Sequence, residues 1–237
     1  MDKLTELLTN REGDSHLHTN WTDGENTIDE MIKAANTCGL KWINFSEHNR
    51  KNSKYSYKKF CDEIIEKSIQ YKNIILIKGA ECKIKNLNGD LDISEEAARL
   101  SDVITGVVHR FPGEEGNILK SPINTFTDQQ KLDALNIEKK LMIAGIKTKR
   151  FSVLGHPFGM TIKRFGLTPK IEYFEEIMIE CKKNNVIFEL NFRYHFKIMS
   201  NLINLVKNLN LDWTIGSNSH SCKELINSWH GIKNKLV

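Results

Sequence analysis

Six of the eight histidines in this chain, His16, His18, His48, His109, His156 and His220, fall at or just beyond the end of a short apolar run. The runs are rich in β-branched residues and read as strands. Imidazole nitrogens together with the carboxylate of Glu81, which follows another such run, form a mixed nitrogen and oxygen donor set. That set suits Zn²⁺, Mn²⁺ or Fe²⁺ and suits Ca²⁺ poorly. In His16-x-His18, alternate residues of a strand end point the same way, so both rings can reach one ion. Glu81 can bridge two ions and hold them close. His109 and His156 would complete a second ion, and Asp23, His48 and His220 a third. Asp14 and Glu47 each neighbour a candidate ligand and are expected to accept an imidazole N–H. Taken singly, a histidine at a strand end is ordinarily a hydrogen-bonded structural residue, and Asp23-Gly24 reads equally well as a turn. The sorting of six histidines to strand ends is what points to metal.

The elements that must position them alternate strand with helix. Strands are expected just before Asp14, at 41–45, 73–77, 103–108, 151–154, 186–190 and 213–215, with a small hairpin or excursion over 84–93. Helices are expected at 27–38, 55–71, 128–144, from Pro169 to about Lys183, at 198–209, and at the C-terminal end, with a short one capped by Ser94. Thr27 followed by Glu30 has the capping-box spacing, and Gly39 ends that helix. Seven strand-helix units without a Pro/Ser linker predict one α/β domain over residues 1–237, a (β/α)7 barrel-like fold whose strand ends share one face. No G-x-G-x-x-G follows the first strand, which argues against a dinucleotide fold.

Composition narrows the class. The 237 residues are 40% hydrophobic, enough for a sizeable core. No run approaches the roughly 18 apolar residues that span a bilayer, and Met1 to Asn10 has no signal-peptide core, so no membrane partner is expected. Five scattered cysteines without C-x-x-C spacing fit a reducing cytoplasm better than a disulfide framework. The net charge of +4 permits an anionic substrate; without a dense basic tract, nucleic acid is permitted but not indicated.

Asp14-x-His16-x-His18-Thr19 with Asp23-Gly24, then Glu47-His48, Gly79-x-Glu81, Val108-His109, Gly155-His156-Pro157 and Ser217-Asn218-Ser219-His220, resembles the polymerase and histidinol phosphatase (PHP) superfamily, with the motifs in the family's order. The resemblance implies a distorted TIM-like (β/α)7 barrel, a site for two or three divalent ions (Zn, Mn or Fe), and hydrolysis of phosphoesters. It assigns His16, His18, Glu81 and Asn218 to one ion, Glu81, His109 and His156 to a second, and Asp23, His48 and His220 to a third. Two positions depart from the family pattern. Asn218 stands where Asp is usual and offers a neutral carbonyl in place of a carboxylate, which should weaken that ion's binding. Glu47 replaces the commoner Asp.

The expected reaction is attack of metal-activated water on phosphorus, with Glu81 holding the ions and His220 or His48 protonating the leaving oxygen. Arg193 is the first choice to grip phosphate, in two bonds; Arg110, which follows His109, and Lys163 and Arg164, on a Gly-rich loop after His156-Pro157, are further candidates. Any one of these is more often a solvated surface charge, since phosphate-site arginines are a minority of all arginines. Trp21, Phe111, Phe158 and Phe192 could stack on a base or simply pack, and the stretch Phe111–Thr127 is a lid or an exposed connection. The expected substrate is a phosphorylated small molecule or nucleotide. Two rivals remain. An amidohydrolase would also open with H-x-H but would need a bridging lysine after the fourth strand, where His109 stands, and an eighth strand ending in Asp. A metal-binding but inactive regulatory or partner domain is favoured by Asn218 and opposed by the retention of every other ligand.

Overall fold

In the computed structural model, which describes residues 2–110 and 126–236, eight strands form one sheet. β1 (Gly13–Leu17), β2 (Trp42–Asn49), β3 (Ile75–Ile84), β5 (Val103–Val107), β6 (Val153–Leu154), β7 (Ile187–Asn191) and β8 (Trp213–Gly216) pair in that order, every pair parallel. β4 (Leu91–Asp92) is the exception, an antiparallel flap on β3 that matches the expected excursion. The ends of the sheet approach each other. Leu17 bridges Ser219, the His18 N–H donates to the Ser219 carbonyl at 3.0 Å, and the Asn218 N–H donates to the His16 carbonyl at 2.9 Å. The result is a nearly closed TIM-like barrel of seven parallel strands. β1 and β7 are buried along their whole length, as strands covered on both faces must be.

The helices follow their sequence signals. In α2 (Ile28–Thr37) Thr27 and Glu30 form the reciprocal capping box, and Gly39 takes φ 74° just past its end. α5 (Asp128–Thr148) opens on a second box, Thr127 with Gln130. α3 (Tyr57–Gln70), α4 (Glu95–Leu100), α7 (Ile171–Asn184), α9 (Met199–Asn208) and α10 (Cys222–Leu236) complete the outer layer. No described helix is long and apolar enough to cross a membrane. All five cysteines are free thiols.

Three features differ from the sequence expectation. A helix, α1 (Lys3–Thr9), precedes the barrel, and its Leu4, Leu7 and Leu8 pack on Trp42, Ile77, Val103, Val153 and Ile187. Those five lie towards the starts of their strands, so α1 covers the barrel's N-terminal mouth. β3 does not stop before Glu81 but runs through it to Ile84. Lys163 and Arg164 are not on a loop: they lie on α6 (Gly159–Phe165). The expected lid or connection, and Phe111 with it, falls in 111–125, outside the described residues.

Candidate metal centre

The six strand-end histidines, Asp23 and Glu81 converge at the C-terminal mouth of the barrel. Register explains part of this: His48 on β2 is the direct partner of Glu81 on β3, so adjacent parallel strands present both on one face. Glu81 is buried at the hub. Its Oε1 lies 2.8 Å from His156 Nε2, 3.2 Å from His109 Nε2 and 3.3 Å from His16 Nε2. Its Oε2 contacts His48 Nδ1 and lies 3.9 Å from His18 Nε2. His109 and His156 approach to 3.4 Å, and His48, Glu81 and His109 bring ligand atoms within 4.8 Å of one another. Asp23 gathers the remaining set: Oδ2 lies 3.2 Å from His48 Nε2 and 3.6 Å from His220 Nε2, and Oδ1 lies 3.9 Å from His18 Nδ1.

The donor chemistry fits divalent cations. His16 Nε2 and both ring nitrogens of His18 are buried and make no hydrogen bond. Leaving such atoms unpaired costs about 1–3 kcal/mol each, so their convergence is stabilising only if something electrophilic shares them. Burial holds His18 and His156 below the ordinary imidazole pKa despite the pull of Glu81. That favours the neutral ring, the form that ligates. Burial also disfavours the charged Glu81, but His109, His48 and His16 outweigh it and hold its carboxyl well below the usual range.

The expected supports are partly different from those anticipated. Asp14 accepts no imidazole N–H. It accepts the backbone N–H groups of His16 and Ser217, both at 3.0 Å, and the Trp229 indole N–H at 2.7 Å, locking β1 to the β8 end and to α10. Glu47 likewise takes Thr19 N–H and Thr19 hydroxyl, each at 2.7 Å, and the Thr22 hydroxyl, fixing the turn that carries Asp23. The acceptor for an imidazole is Glu189, a residue not singled out from sequence. Its Oε1 takes the His16 Nδ1 proton at 2.9 Å, and its Oε2 takes the backbone N–H of His156 at 2.5 Å. His156 sits at φ 31°, a left-handed conformation costly for a side chain with a Cβ, and this hydrogen bond helps to hold it. Gly216 makes room for Glu189, since a Cβ there would overlap Glu189 Oε1.

A cavity of about 500 Å³ opens on the cluster. Arg193, Lys163, Arg164 and Asn218 line it, as do Arg50 and Tyr194, which were not anticipated. Arg193 Nη1 donates to the Asn218 carbonyl at 3.0 Å and lies 3.1 Å from His220 Nδ1. Arg110 is exposed and does not line the cavity. Of the aromatics, Phe158 is fully buried, Trp21 packs on Tyr55 and Phe60, and Phe192 borders a neighbouring hollow; Tyr194 instead sets its ring edge-on to His156, centroids 5.3 Å apart. His195 is structural: buried and held neutral, its Nδ1 accepts the Asn191 N–H and its Nε2 donates to the Pro157 carbonyl. His230 is exposed on α10.

The fold has a known counterpart, and the sequence has known relatives. A crystal structure of histidinol phosphate phosphatase from Lactococcus lactis, complexed with zinc, L-histidinol and phosphate, shares the fold with a TM-score of 0.69 over 95% of this chain and 92% of that one, at 18% identity. A probable phosphatase of Clostridium acetobutylicum is 30% identical over 191 residues, 81% of this chain and 65% of the relative. The DNA polymerase/3'-5' exonuclease PolX of Bacillus subtilis is 22% identical over 186 residues, 76% of this chain but 29% of the relative. The chain therefore spans less than two thirds of either relative's length. The family model of the PHP domain matches residues 14–193, more than half of the sequence, and the chain belongs to the PHP domain family.

Proposed function

We propose that this protein is a metal-dependent phosphoester hydrolase acting on a small phosphorylated molecule. The observation that carries the reading is Glu81, one buried carboxylate with five imidazoles on its two oxygens, at the floor of a cavity lined by cations. His16, His18 and Asn218 with Glu81 would hold one ion, His109 and His156 with Glu81 a second, and Asp23, His48 and His220 a third, of the Zn, Mn or Fe type. When bound, the ions supply a nucleophile from water near neutral pH and offset charge developing on the phosphoryl oxygens. The chain's own residues do the rest. Arg193, anchored on the Asn218 carbonyl, keeps its other donors for phosphate, while Lys163 and Arg164 approach from α6. His220 and His48, half-buried at the cavity edge, are placed to return a proton to the leaving oxygen.

A second reading, a metal-binding domain without turnover, is favoured by the neutral carboxamide of Asn218 in the cavity wall. A phosphate-release screen over sugar phosphates, nucleotides and short oligonucleotides with added Mn²⁺ or Zn²⁺ separates the two. Release that disappears in Glu81→Ala and His156→Ala, together with lost metal, supports the hydrolase. Bound metal with no release from any ester supports the inactive module, and full activity in either variant rules out the assigned site.

A further inference from the structure

Charge is distributed unevenly around the cavity. Among the described lining residues the only carboxylates are Asp23 and Glu81, and both are turned into the imidazole cluster. Every other charged lining residue is a cation. Arg50 follows β2, Lys163 and Arg164 lie on α6, and Arg193 lies on the short helix α8 (Phe192–His195), so positive charge reaches the cavity from three separate elements. Arg193 is partly compensated by Glu224, 3.5 Å from Nη1. Arg50 and Lys163 make no ion pair with a described residue.

One phosphoryl group at the metal cluster does not need this much further positive charge, because the ions themselves offset its dianion. The surplus acts on whatever the phosphate is attached to. At the mouth of this cavity, where Arg50, Lys163 and Arg193 are exposed, like charge placed against like charge is a repulsive element that sets specificity, and opposite charge also speeds encounter. A cavity of about 500 Å³ leaves room for a leaving group of roughly sugar size beside the phosphate.

We infer that, on the hydrolase reading above, the substrate is a phosphomonoester whose leaving alcohol carries its own negative charge, a carboxylate or a second phosphate, and that an amino alcohol is discriminated against. Arg50 and Lys163 are the specificity-determining positions. In the reaction a water oxygen bonds to phosphorus, the bond from phosphorus to the sugar oxygen breaks, and that oxygen leaves protonated as the anionic alcohol.

The test uses the metal-loaded full chain and three esters with the same kind of primary leaving oxygen: 6-phosphogluconate (anionic), glucose 6-phosphate (neutral) and glucosamine 6-phosphate (cationic), with p-nitrophenyl phosphate as a generic ester. The expected order of kcat/KM is anionic, neutral, cationic, with at least tenfold between the extremes. Raised salt should compress the spread, and Lys163→Glu or Arg50→Glu should narrow or invert it. Calorimetric binding of the same three esters to the metal-free parent protein should follow the same order, and this readout does not depend on turnover. A flat or reversed order in binding, or in kcat/KM while p-nitrophenyl phosphate is hydrolysed, overturns the charge preference and leaves the hydrolase reading intact. Failure to hydrolyse any ester, with the binding order retained, overturns the hydrolase reading alone.

Discussion

Glu189 Oε1 lies 2.9 Å from Nδ1 of His16, so the imidazole's second nitrogen is left facing Glu81. A carboxylate fixes the tautomer, and the free nitrogen is aimed at the place where an ion would sit. The same carboxylate also holds the His156 backbone. Two candidate ligands from opposite parts of the sequence thus depend on one buried side chain. Glu189→Gln keeps the shape but weakens the acceptor, and is expected to reduce metal affinity about 10–100-fold. Metal titration followed by chelator competition checks this, alongside circular dichroism to show a retained fold. Unchanged affinity in a folded variant would remove Glu189 from the site.

Much of this centre is legible in the sequence alone, because parallel strands end on one face and histidines after short apolar runs therefore share that face. Glu189 was harder to read. It lies inside the run Ile187–Asn191, where periodicity marks burial but says nothing of what a lone carboxylate pairs with, and its partner is 173 residues away. A charged residue within a fully buried strand is nonetheless a signal, since it must be paired. Asp14 and Glu47 show the converse. Nearness in sequence to a histidine suggested ring contacts, but successive strand positions face opposite ways, which turns Glu47 away from His48, and both carboxylates serve backbone, hydroxyl or indole donors instead. α6 went unseen because it is short and begins at glycine, directly after the strained turn at His156.

Asn218 takes φ 55°, a left-handed conformation that Asn and Asp both tolerate, so Asn218→Asp can be made without backbone strain. The variant adds a carboxylate to the wall of a site otherwise short of anionic ligands. It is expected to tighten metal binding, most at the ion shared with His16, His18 and Glu81, and to raise turnover if that ion limits the rate. A metal titration indistinguishable from that of the unmodified protein would mean that residue 218 is not a ligand.

The N-terminal helix makes a stability prediction separate from the metal. Leu8 is fully buried against the strand residues at the barrel's lower mouth. Leu8→Ala should cost about 2–5 kcal/mol in denaturant unfolding of metal-free protein, the range for a truncated core leucine, with metal affinity of the folded form unchanged. A loss below about 1 kcal/mol would mean that α1 does not form part of the core.

Glu138 gives a prediction about pH. It is buried on α5, and its carboxylate accepts the backbone N–H groups of Met160 (3.1 Å) and Thr161 (2.8 Å) and the Thr161 hydroxyl at the start of α6. Burial raises its pKa to about 7 despite those three donors. The folded state therefore keeps this proton at pH values where the unfolded chain, with a pKa near 4.5, has released it. Where the native state binds more protons, stability falls as pH rises, so the loss should run from about pH 4.5 to about pH 7 and then level off. Its full size is on the order of 3 kcal/mol, at about 1.4 kcal/mol per pKa unit. Asp14 and Glu47, raised by burial to about 6 and about 7, act in the same direction, so the unmodified protein should show a summed slope. Glu138→Gln removes only its own share. Unfolding free energies of metal-free protein at pH 5 and pH 7.5 should therefore differ less in the variant than in the parent. Equal differences in the two would mean that Glu138 titrates as an ordinary carboxyl, with its three donors fully offsetting its burial.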